Sequence, residues 1–84
     1  MSEGRDPLTF EQTVDRLVKL AGEYAGTVTR AQIEADDELS RNRSLTSAAA
    51  HSLAGGTNVA ATPSRGGWFP YEWLTFGSAQ RAVQ

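Results

Sequence analysis

Cysteine is absent from this chain of 84 residues. Disulfides, thiolate metal ligands and cysteine nucleophiles are thereby excluded. Small secreted domains usually carry disulfides, so the absence points to an intracellular, cytoplasmic location. Histidine occurs once, as His51, which leaves too few ligands for a zinc site. No apolar run approaches the length needed to span a membrane. The opening residues, MSEGRDP, are charged and lack the apolar core of a signal peptide. Lysine is nearly missing, with Lys19 standing against seven arginines. Together with the many Ala and Gly, that preference suggests a GC-rich, bacterial genome.

What remains is enough for one small domain. Apolar residues make up 39% and charged residues 21%. That balance is too rich in aromatic and β-branched side chains for a disordered chain. A core of this size is marginal alone, so the domain must pack well, dimerise or bind a partner. The net charge of −2 hides an asymmetry. Residues 1–40 hold four basic and nine acidic side chains, a net of −5. Residues 41–84 hold Arg41, Arg43, Arg65 and Arg81 against Glu72 alone, a net of +3. Segregation of this kind creates a local positive face on an acidic protein.

Residues 1–8 read as a disordered segment, 9–76 as the domain, and 77–84 as a flexible tail or short helix. Thr9 and Gln12 form the T-x-x-Q pattern of a capping box. Phe10, Val14, Leu17, Val18, Ala21, Tyr24 and Ala25 then recur at helical spacing as one apolar stripe. Gly26 stops that helix. Thr27, Val28 and Thr29 make a brief extended segment. Thr29 and Gln32 repeat the capping pattern, opening a short helix over 30–35 anchored by Ile33. DDEL, residues 36–39, is able to add a turn, with Leu39 inward. Ser44 is a cap for a third helix. Its stripe is Leu45, Ala48, Ala49 and Leu53, leaving Thr46, Ser47, Ala50, His51 and Ala54 elsewhere on its surface. TNVAAT reads as a strand, PSRGG as a turn, and Trp68-Phe69 as the start of a returning strand limited by Pro70. YEWLTF is compatible with a strand, a helical turn or irregular chain.

Five of the seven aromatic residues fall within 66–76. A domain this small needs most of these rings in its core. If extension continues from Trp68, Tyr71 and Trp73 share a face with Phe69. One or two rings are left over, chiefly Trp68 or Trp73, and these suit a dimer or partner interface, with Tyr71 beside them.

Catalytic and metal chemistry find little support. Asp36, Asp37 and Glu38 lack a calcium-loop pattern and read as a solvated acidic turn. Ser47 and His51 lie one helical turn apart, without an orienting third group or an oxyanion loop. The glycine pairs 55–56 and 66–67 match no phosphate-cradling fingerprint, and turn chemistry accounts for them. No cofactor or small-molecule substrate is implied.

Helix, short strand, short helix, helix, hairpin: over about residues 9–76 this order resembles the winged helix-turn-helix family. The resemblance implies an α+β fold, three helices followed by a β-hairpin, with a sheet of two or three strands. It implies a recognition helix over 44–54 and a wing over 63–67 with Arg65 at its tip. Arg41, Arg43 and Arg65 would then meet phosphates, with Ser47 and His51 near base edges. The expected function is a small non-catalytic DNA-binding module in regulation, working as a dimer. The alternative is a protein-interaction module that uses the aromatic hairpin, Trp68, Tyr71 and Trp73.

Overall fold

The computed structural model describes residues 8–56 and 59–77. The expectations for residues 1–7 and 78–84, and for Thr57 and Asn58 of the first hairpin strand, lie outside the described residues. The elements are α1 (Phe10–Glu23), β1 (Thr27–Thr29), α2 (Arg30–Ala35), α3 (Asp37–Arg41), α4 (Arg43–Ala54), β2 (Val59–Pro63) and β3 (Tyr71–Phe76). The class is α+β, with four helices and one three-stranded antiparallel sheet ordered β1-β3-β2. That arrangement is compatible with a winged-helix topology.

Each helix starts where a polar side chain can satisfy the free N–H groups of a first turn. Thr9 and Gln12 close a reciprocal capping box, as do Thr29 and Gln32. DDEL is more than a turn: Asp36 opens the short helix α3, its Oδ1 accepting from the N–H groups of Glu38 and Leu39. A fourth helix therefore stands where three were expected. Helix α4 is capped by Asn42, whose Oδ1 accepts from Leu45 N–H, and not by Ser44. Arg43 is consequently inside the first turn of α4.

The core joins Leu17, Leu20 and Ala21 of α1, Val28, Ile33, Leu39, Ala49 and Ala50 of α4, Phe69, Leu74 and Phe76. The expected stripe of α1 holds at its centre and fails at its ends. Phe10 and Tyr24 are 42% and 45% exposed, while Leu20 and Thr13 are buried. Thr13 is tolerated inside because its hydroxyl donates to the Thr9 carbonyl. The stripe of α4 is turned relative to expectation. Thr46 and Ala50 are buried, Ala48 is exposed, and Leu45 and Leu53 are half-buried. The reason is twofold. Ala48, Ala49 and Ala50 offer no contrast by which to mark a face. Thr46 goes inside because its hydroxyl donates to the Leu39 carbonyl at 2.7 Å, which removes the desolvation cost of the pair.

Trp68, Phe69 and Pro70 belong to the loop, and β3 begins at Tyr71. Pro70 thus precedes the returning strand instead of limiting it. YEWLTF is a strand throughout, and it lies at the centre of the sheet. A register shift breaks its alternation: Thr62 faces Trp73, but Pro63 faces Tyr71, so Glu72 is an extra residue. Tyr71 therefore packs toward the core with Phe69, whereas Trp73 shares the outer face with its partners Thr29 and Thr62. The expectation that Phe69, Tyr71 and Trp73 share one side fails for this reason.

Helix α1 ends in a left-handed turn, with Ala25 at φ 57° and Gly26 at φ 87°. Gly26 N–H reaches back to the Ala21 carbonyl, a Schellman-type closure. The left-handed position at Ala25 costs an L-residue about 1 kcal/mol relative to glycine. Ala25→Gly is expected to raise stability by up to about 1 kcal/mol, lifting the thermal midpoint by at most roughly 4–8 °C. A lowered midpoint would show that the turn is not strained.

Candidate nucleic-acid interface

The sequence singles out Arg41, Arg43, Ser47, His51 and Arg65 for one role, and Trp68, Tyr71 and Trp73 for another. The fold merges most of both sets into one contact. Arg43, Ser47 and His51 recur every four residues, so they form a single stripe along α4. That stripe faces the loop 64–70 and the start of β3. The Arg43 guanidinium lies over the Trp68 ring, 5.6 Å from its centroid. Ser47 donates its hydroxyl to the Trp68 carbonyl at 2.8 Å. His51 Nδ1 is 3.1 Å from the Tyr71 hydroxyl, and the two rings stack. Ser47 and His51 thus each engage the hairpin. Among the described residues no group of three or more His, Asp or Glu gathers as metal ligands would.

Arg41 closes α3 and is exposed. Arg65 is exposed in the loop 64–70 between β2 and β3. Trp73 stands apart from all of these on the outer face of the sheet, 36% exposed. Among the described residues no helix is long and apolar enough to cross a membrane.

Two residues missing from the expected site complete it. Arg30 donates from Nη1 to the Gly66 carbonyl at 3.1 Å and from Nε to Glu34 at 2.9 Å. The same Glu34 oxygen accepts from the Trp68 indole N–H at 3.2 Å. Gly67 is favoured by its φ of +86°, and a Cβ there would in addition displace the Arg30 guanidinium. A signal for this pair was present in the sequence. Arg30 occupies the first position of α2, where positive charge opposes the helix dipole. Glu34 follows it at i+4, the less favourable order for a helical ion pair. Such a placement calls for a tertiary reason, and the hairpin turn supplies it.

The electrostatics follow from these contacts. Glu34 is held below its ordinary pKa, first by the hydrogen bond from Arg30, then by Arg30's charge, the Trp68 N–H and the charge of Arg43. A carboxylate depressed in the folded state stabilises the fold above its unfolded pKa. That contribution is lost as pH falls through the folded value. The acidic stretch 36–38 is not simply solvated. Asp36 turns inward, its Oδ2 taking Nε and Nη2 of Arg16 at 2.9 and 2.7 Å, with its side chain only 7% exposed. Arg16 is raised above its usual pKa, chiefly by that hydrogen bond.

Comparison with known proteins yields no matching family model, no matching curated protein and no matching solved structure.

Proposed function

We propose that this chain is a winged-helix-like, non-catalytic module that holds the backbone of duplex DNA. One observation carries the reading. Arg30 and Arg43 are fixed against the hairpin at Gly66 and Trp68, in the same loop as the exposed Arg65. Two cations from α2 and α4 thus rest on the loop that carries the third, and Arg41 lies just ahead of α4. Arginines of this kind suit phosphate oxygens, and ordering by Trp68 lowers the entropy lost on contact. Ser47 and His51 serve on this reading as props for the hairpin. The exposed side of α4 otherwise offers Ser44, Ala48 and Ser52, which carry little base-reading chemistry. Phosphate contact with weak sequence preference is the resulting mode. One module with so few cations binds weakly, so two copies act together.

Titration of a labelled mixed-sequence duplex tests this reading. Binding is expected at low salt and to fall steeply as salt rises, with a log–log slope of about −3 per copy bound, for three or four phosphates each. Arg65→Ala is expected to flatten that slope by about one unit and to weaken binding. No binding at low salt would overturn the reading.

A second reading rests on the outer face of the sheet. Trp73 lies there with Thr27, Thr29, Ala60, Thr62 and Thr75, none of them charged. Tryptophan in such a setting suits a protein interface. If this face joins two copies, light scattering will show a dimer that Trp73→Ser converts to a folded monomer. A monomer in the unaltered protein, or a dimer indifferent to Trp73→Ser, would remove this face from that role.

A further inference from the structure

The arginine cluster contains its own anion. Glu34 is the acid that accepts from Arg30 and from the Trp68 indole, and the charge of Arg43 also acts on it. The Arg30–Glu34 pair is open to solvent, with side chains 39% and 43% exposed. Exposed ion pairs of this sort contribute little net stability, because water competes for both partners. A phosphate offers Arg30 the same oxygen geometry with more acceptor sites. Its approach would also add repulsion against Glu34 at short range.

We propose that Glu34 is an internal counter-ion that sets the strength of nucleic-acid binding. It occupies Arg30 in the free protein and yields it to a backbone phosphate in the complex. The proposal rests on the DNA-binding reading above. Glu34 does two jobs that differ in what they need. Holding the Trp68 indole and Arg30 needs only an acceptor oxygen. Opposing phosphate needs the negative charge. Glutamine keeps the first and removes the second, so Glu34→Gln separates them.

The prediction is a tighter complex for Glu34→Gln, by about three- to ten-fold at low salt, converging on the unaltered protein as salt screens the charge. The salt slope steepens by up to about one unit, since no carboxylate beside Arg30 offsets its charge at the phosphate. Glu72→Gln is the control. Glu72 is an exposed acid on β3 outside this hydrogen-bonded cluster, so its loss changes the net charge equally. Circular dichroism and tryptophan emission establish that both variants remain folded. A gain confined to Glu34→Gln supports the proposal. Equal gains in both variants would reduce the effect to net charge and overturn it. Weaker or unchanged binding by Glu34→Gln, with Arg43→Ala still weakening the complex, would overturn it and leave the DNA reading standing. Absence of binding in all three proteins would overturn both.

Discussion

The seating of Trp68 is the constraint on which the working side of the molecule depends. Its carbonyl takes the Ser47 hydroxyl, its indole N–H reaches Glu34, and its ring lies under Arg43 and against the edge of Phe69. These contacts tie the loop 64–70 to α2 and α4 at once. Phe69, fully buried beside it, contributes roughly 1.5–3 kcal/mol by leaving water. A loop is ordinarily more mobile than the elements it connects. Here the chain has spent its aromatic residues on fixing that loop to the helices, and the arginines are fixed with it.

Charge is sorted by the same packing. Asp36 points inward to Arg16 and caps α3, so one carboxylate of the acidic stretch is withdrawn from the surface. Glu34 stays outside, but it is engaged by Arg30 and Trp68. Arg43 and Arg30 keep their cationic groups at the surface while resting on Trp68 and Gly66. Arginine side chains thereby stand at the hairpin side of a chain that is acidic overall, with Glu34 among them. This is why the net charge of −2 is a poor guide to what the hairpin side can meet.

Local rules were legible in the sequence, and contrast-dependent ones were not. Both capping boxes were readable because they need only residues three apart, as was the inward position of Leu39. The face of α4 was not, because three consecutive alanines carry no amphipathic signal and Thr46 hides its polarity in a bond to Leu39. The strand parity of the aromatics failed because Glu72 bulges out of register. The candidate site was legible as a set of residues more than as an arrangement. Arg43, Ser47, His51, Trp68 and Tyr71 were all singled out, but their contact with one another needed the tertiary fold. Arg30 and Glu34 escaped notice because the only signal was their unfavourable order on a short helix, and only the hairpin turn gives the pair a purpose.

The most direct test of the account is chemical-shift mapping of the isotope-labelled protein as a mixed-sequence duplex is added at low salt. The account predicts perturbations at Arg30, Arg43, Arg65 and neighbouring amides, and at the Trp68 indole N–H as Glu34 exchanges its partners. The Trp73 indole, on the opposite face of the sheet, should stay still. Perturbations centred on Trp73 with a silent Trp68 indole, or no perturbation at all, would contradict it.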